Sequence, residues 1–172
     1  IIELLVFGGS QGASIFSRVV PEAIRKLDHK LYSRLNVTQQ CRVEDYTHLR
    51  SKYDEIGIKA EVSTFFEDLP QRMANAHLVV CRAGASAIAE LTTIGRPAIL
   101  VPYPHAIDDH QSSNAHTLDE VGGGWLIPDE AFNADSLSHR LEMLFKMPRS
   151  LQNAAGAAKR AGEADATNKL AE

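Results

Sequence analysis

A chain of 172 residues, 44% hydrophobic and 23% charged, is long enough for one domain with a full core, short for two, and excludes a disordered or fibrous polypeptide. Its 18 Lys plus Arg against 22 Asp plus Glu give a formal charge of −4, with the cations scattered rather than striped, which argues against a nucleic-acid partner. No apolar run approaches the roughly 20 residues that span a bilayer, no signal peptide is visible, and two cysteines, Cys41 and Cys81, make no disulfide framework, so a reducing cytosol is expected.

Ile1 already lies within an apparent strand and no initiator methionine precedes it, as expected of a piece of something longer. The first strand is predicted over Ile2 to Phe7, and Ile15, Val19, Ala23, Ile24 and Leu27 then keep one face of a helix apolar. A strand at Arg34 to Thr38 follows, then a helix from about Glu44 to Ile56 that Gly57 stops. Next come a strand at Lys59 to Ser63, a short helix near Leu69 to Ala74, and the apolar strand Leu78 to Cys81. Ala85 to Thr93 reads as a helix halted by Gly95, and Ala98 to Val101 as a buried strand closed by Pro102. The last elements are helix Gln111 to Val121, strand Trp125 to Ile127, helix Ala134 to Phe145 and an Ala-rich helical tail after Pro148. This alternation predicts a single α/β domain, a Rossmann-like parallel sheet with helices on both faces.

Ligands of such sheets bind beyond the carboxyl ends of the strands, where two turns of small residues stand out. The first, Gly8-Gly9-Ser10-Gln11-Gly12, lets backbone approach an anion just ahead of a helix N-terminus. It lacks the Lys-[Ser/Thr] ending of a Walker A loop, and it departs from the dinucleotide fingerprint because its first two glycines are adjacent. Gly8-x-Ser10-x-Gly12 also matches a serine hydrolase's nucleophile elbow. Two features count against that reading: Asp108, Asp109 and His110 crowd one loop, and the elbow would fall on the first strand rather than mid-sheet. His105-x-x-Asp108-Asp109-His110 is dense in metal-ligand types, yet the adjacent acids point apart and Asp109 suits a helix cap, so no metal is expected.

The second turn, Arg82-Ala83-Gly84-Ala85-Ser86, opens a helix that carries Glu90 about one turn in, where a carboxylate can accept bonds from a vicinal diol such as a ribose. Arg82 pairs with phosphate, packs on a base or caps the strand end; the residue type allows all three. Gln111 and Asn114 share a helix face whose amides suit sugar hydroxyls or a cap equally well.

Taken together, Gly8-Gly9-Ser10-Gln11-Gly12-Ala13, Cys81-Arg82-Ala83-Gly84-Ala85 with Glu90, and Pro102-Tyr103-Pro104-His105 leading to His110-Gln111-x-x-Asn114-Ala115 resemble the C-terminal half of the MurG family. These are membrane-associated N-acetylglucosaminyltransferases of bacterial peptidoglycan synthesis, and the likeness runs along nearly the whole chain. The resemblance implies the nucleotide-sugar half of a two-Rossmann-domain (GT-B) enzyme, with no cofactor. It assigns Ser10 in the glycine turn, and the backbone around Ala85 and Ser86, to the diphosphate, with Gly9 and Gln11 as further substrate-binding residues. Glu90 would hold the ribose hydroxyls, and the backbone around Phe66 the uracil. Gln111 would read the N-acetylglucosamine hydroxyls, with His110 as a further sugar contact, and Arg82 would lie beside base or phosphate. The chain departs from the family at Thr38-Gln39-Gln40-Cys41-Arg42, where a His-Gln-x-Gly-like stretch is frequent, and at His110, where some members have Gln.

For the intact enzyme the resemblance implies transfer from UDP-N-acetylglucosamine to lipid I, giving lipid II with inversion. Two helix N-termini would stabilise the departing diphosphate without a metal. The catalytic base, the lipid I contacts and the apolar patch that meets the cytoplasmic face of the inner membrane are expected on an N-terminal domain absent from this chain. The domain alone is therefore expected to bind the nucleotide and not to turn over. The competing expectations are a UDP-N-acetylglucosamine epimerase-like or non-catalytic nucleotide-binding module and, more distantly, the serine hydrolase.

Overall fold

In a computed structural model that describes residues 1–8, 13–104 and 110–171, every strand is parallel to its neighbours. The strands are β1 (Ile2–Phe7), β2 (Leu35–Gln40), β3 (Lys59–Ser63), β4 (Leu78–Cys81), β5 (Ala98–Leu100) and β6 (Gly124–Leu126), and they lie in the order β3-β2-β1-β4-β5-β6. Between and after them run α1 (Ser14–Arg25), α2 (Tyr46–Ile56), α3 (Leu69–Asn75), α4 (Ala85–Ile94), α5 (His110–Glu120), α6 (Ala134–Lys146) and α7 (Pro148–Ala171).

A parallel sheet covered on both faces needs apolar side chains on both, so its central strands read as unbroken apolar runs. Leu78, Val79, Val80 and Cys81 of β4 are all fully buried. They alternate between two cores. Leu78 and Val80 join Leu4 and Val6 of β1 against α1, α2 and α6. Val79 and Cys81 join Leu5 and Phe7 against α3, α4, α5 and part of α7. Helix stops follow glycine chemistry: Gly57 and Gly95 end α2 and α4 in the left-handed region, each at φ 82°.

The strand order fixes where a ligand can sit. From β1 the chain steps outward to β2 and β3, then returns to lay β4 on the other side of β1. The connections beyond the carboxyl ends of β1 and β4 therefore depart to opposite faces and leave a crevice between them.

Three expectations are corrected. β1 is interior, bonded to β2 and β4, so the strand that carries the glycine turn is mid-sheet. β2 starts one residue later and ends two residues later than the Arg34 to Thr38 reading. It continues because the fully buried Gln39 is tied to α2: its side-chain carbonyl accepts from the Tyr53 hydroxyl. β6 lies one residue earlier than Trp125 to Ile127, with Gly124 beside Ala98 of β5. A 3-10 segment, His29–Arg34, occupies what reads in the sequence as linker, its start capped by Asp28, which accepts from the Lys30 N–H.

Candidate functional site

A cavity of about 600 Å³ opens in the crevice, bounded by Gly8 after β1, Gln40 at the end of β2, Phe65 after β3, and the start of α4. That size accommodates a small molecule. The chemistry of its wall comes mainly from α4. Gly84 precedes the helix with extended backbone and offers no side-chain cap, and no acidic residue occupies the first turn. The N–H groups of Ala85, Ser86 and Ala87 thus lack intrahelical acceptors and side-chain capping, and the positive end of the helix dipole is uncompensated. All three residues line the cavity. Glu90, four residues past Ser86 and on the same helix face, lines it too, half-buried and with no side-chain partner among the described residues.

α1 starts in the same manner beyond the end of β1: Ala13 provides no side-chain cap and the first turn has no acid. Ser10, assigned above to the diphosphate, and the substrate-binding candidates Gly9 and Gln11 lie outside the described residues, as do Gly12, His105, Asp108 and Asp109. Among the described residues no group of three or more His, Cys, Asp or Glu could hold a metal.

Gln111, on the first turn of α5, lines the cavity while its side-chain oxygen accepts from the N–H groups of Tyr103 at 2.8 Å and Ala83 at 3.3 Å. Asn114, one turn on, donates to the Ala83 carbonyl at 3.1 Å. The two amides stitch the segments after β4 and β5 to α5. With its oxygen engaged, Gln111 has its NH₂ group left to offer a ligand. His110 is exposed and does not line the cavity.

Arg82 also faces the cavity, already engaged: its Nη1 donates to Asp129 at 2.6 Å and to the carbonyls of Val101 and Pro102, both at 3.3 Å. Phe66 does not line the cavity; its ring lies under the Arg72 guanidinium, 4.4 Å from the ring centroid. Arg72 is held in turn by Asp68 at 2.8 Å and by Glu61, and the hydrogen bond from Arg72 draws the Asp68 carboxyl below its ordinary range. The neighbour Phe65, 67% exposed, is the aromatic on the cavity wall.

Phe65, Gln40 and Leu69 are not singled out by the sequence as site residues, and Tyr103 is marked there only as part of the Pro102 to Gln111 loop expected to line the crevice. Gln40, Phe65 and Tyr103 sit at or just past the carboxyl ends of β2, β3 and β5. That position is the signal that finds them once strand ends are known.

The order of the strands and the crevice at their switch point define a doubly wound, Rossmann-like domain, the fold of one half of a GT-B glycosyltransferase. Residues 3–170 match the family described as the glycosyltransferase family 28 C-terminal domain, and the chain belongs to that family. Among its relatives is the UDP-N-acetylglucosamine–N-acetylmuramyl-(pentapeptide) pyrophosphoryl-undecaprenol N-acetylglucosamine transferase of Paramagnetospirillum magneticum, 53% identical over 171 residues, which are 99% of this chain and 46% of that protein. The crystal structure of Acinetobacter baumannii MurG has a TM-score of 0.83 at 28% identity, covering 92% of this chain and 47% of that one. WaaG, a glycosyltransferase involved in lipopolysaccharide biosynthesis, shares the fold with a TM-score of 0.70 at 21% identity, over 94% of this chain and 42% of its own. The chain spans about half the length of the relatives it matches.

Proposed function

We propose that the chain is the donor-binding half of an inverting N-acetylglucosaminyltransferase that moves N-acetylglucosamine from UDP-N-acetylglucosamine to lipid I, forming the lipid II of peptidoglycan synthesis. One observation carries the reading: a single helix, α4, brings to the cavity both an uncapped, uncompensated N-terminus and, a turn later, the carboxylate of Glu90, unpaired among the described residues. That is an anion site and a diol acceptor held at a fixed spacing on one rigid element. The substrates in the names of relatives up to 53% identical supply the identity of the sugar nucleotide and the acceptor.

The roles follow from the chemistry. The N–H groups of Ala85 and Ser86 take the diphosphate, joined by Gly9, Ser10 and Gln11. Glu90 accepts from the ribose hydroxyls, and the uracil lies by the Phe65–Phe66 segment, met by backbone at Phe66. Gln111, its oxygen already committed, donates through its NH₂ group to the sugar, with His110 further out and Arg82 beside the phosphates. As the glycosidic bond breaks, negative charge grows on the departing UDP. Fixed N–H dipoles stabilise that charge with no reorganisation at the moment of reaction.

The base that activates the acceptor hydroxyl and the lipid I contacts belong to the other half of the protein. So does the peripheral contact with the cytoplasmic face of the inner membrane; no helix among the described residues is long and apolar enough to cross a membrane. The test is calorimetric titration of this chain with UDP, CDP and ADP, and of Glu90→Gln with UDP. UDP is expected to bind in preference to the other two. Loss of a hydrogen bond to a charged group weakens binding by about 1.5–3 kcal/mol, so the variant binds UDP roughly 10- to 100-fold more weakly. No heat with millimolar UDP, or an unchanged affinity in the variant, contradicts the reading.

A further inference from the structure

Arg82 is 12% exposed and Asp129, in the 3-10 turn Asp129–Ala131 after β6, is 24% exposed, so their ion pair is only partly open to solvent screening. Every bond the guanidinium makes among the described residues runs through one nitrogen, Nη1. Nε is buried and has no partner among the described residues. The rings of Phe16 and Tyr103, with centroids 5.4 and 5.2 Å from the guanidinium carbon, limit where the group can go. A guanidinium normally grips an oxyanion through two adjacent N–H groups. Here Arg82 lines the cavity, yet the bonds it makes among the described residues run through a single nitrogen whose shortest contact is a carboxylate.

We propose that Asp129 sets how tightly the cavity holds a nucleoside diphosphate: by keeping Arg82 paired, it weakens the attraction of the arginine on the described part of the cavity wall and lets the spent nucleotide leave. This rests on the nucleotide reading above. A helix N-terminus binds a diphosphate through fixed partial charges, and an unpaired arginine beside it would add a full charge. After transfer, the product carries more negative charge on its terminal phosphate than the bound donor did. An unmodulated arginine would therefore favour product over substrate and slow its release. Asp129 is in this account a positioning residue that touches no ligand and acts through Arg82.

The experiment is calorimetric titration of this chain with UDP and with uridine, for the parent, Asp129→Asn, Arg82→Gln and the double variant. Asp129→Asn is expected to bind UDP about tenfold more tightly, the equivalent of one added charge-assisted contact, and uridine within about twofold of the parent. The gain shrinks with added salt, and it vanishes when Arg82 is also replaced, so Arg82→Gln and the double variant bind UDP alike. If Asp129 merely latches the turn after β6, the Asn variant binds UDP equally or more weakly, and that result overturns the proposal. Should Asp129→Asn fail to fold by circular dichroism, Asp129→Ser is measured in its place with the same expectation. A parent chain that binds no UDP at millimolar ligand refutes the nucleotide reading and this inference together, whereas a parent that binds UDP beside an Asn variant that gains nothing refutes the inference alone.

Discussion

Gly162→Ala places a methyl group where α7 crosses α4. A Cβ at Gly162 would lie 2.5 Å from the Thr92 carbonyl oxygen and 2.7 Å from its carbon, both backbone atoms of α4, so the helices must part by about 0.5 Å or more to reach even the closest separation real Cβ atoms show. Overpacking of this kind costs about 1–3 kcal/mol, against a gain of up to about 1 kcal/mol from replacing glycine within a helix. With the full helix gain the net loss is up to about 2 kcal/mol, which in a domain of this size lowers the melting temperature by up to roughly 8 °C. Gly156→Ala is the internal control: its nearest new neighbour is the flexible tip of Arg160 at 3.3 Å, and the propensity gain stands alone. Thermal unfolding followed by circular dichroism is expected to place Gly162→Ala below the parent and Gly156→Ala at or above it. Because α4 also carries Glu90, the first variant should lose UDP affinity as well. Equal melting temperatures for the two variants would refute the claim that close backbone approach at Gly162 holds α7 on α4.

Tyr53→Phe removes the one hydrogen-bond partner that a fully buried glutamine oxygen has among the described residues, where Gln39 Nε2 already has none, so the variant should lose about 1–3 kcal/mol in urea unfolding. Replacing both residues as Gln39→Leu and Tyr53→Phe removes the orphaned groups too, and the double variant is expected to be more stable than the sum of the single losses predicts. Burial pushes the Cys81 thiol up to about 12 and, with Asp45 adding to the effect, raises that of Cys41. At pH 8 neither thiol should react with a disulfide reagent until the chain unfolds; rapid titration of Cys81 in the native protein would contradict its burial. The sign of the linked stability follows: the contribution from holding Cys81 neutral is whole below the ordinary thiol value of 9.0 and is lost as pH rises towards about 12, so the melting temperature should fall across that window. Gln111→Leu leaves the N–H groups of Ala83 and Tyr103 without their shared acceptor, and is expected to weaken binding of the sugar nucleotide more than that of UDP.

Much of this fold is legible in the sequence because its strongest elements obey rules that act locally. Leu78 to Cys81 is apolar at every position since both faces of β4 are covered, and Gly57 and Gly95 mark helix ends where the chain needs positive φ. What escapes notice depends on partners distant in sequence. Gln39 looks like loop until Tyr53, 14 residues on, is known to hold its amide inside. Which of two adjacent aromatics faces the cavity is decided by the turn after β3, where Ser63 Oγ donates to the Phe65 carbonyl and accepts from its N–H. Arg82 was legible as a functional type, but its partner lies 47 residues away and meets it only because β5 and β6 pair. Glu90 and the start of α4, by contrast, stand on one helix, and helical spacing alone sets them on a common face.

The most direct measurement is a crystal structure of this chain with UDP. The diphosphate is expected against the first-turn N–H groups of α4 at Ala85 to Ala87, with a ribose hydroxyl within hydrogen-bond distance of Glu90. A uridine bound outside the crevice between β1 and β4, or a Glu90 carboxylate turned away from the sugar, would contradict it.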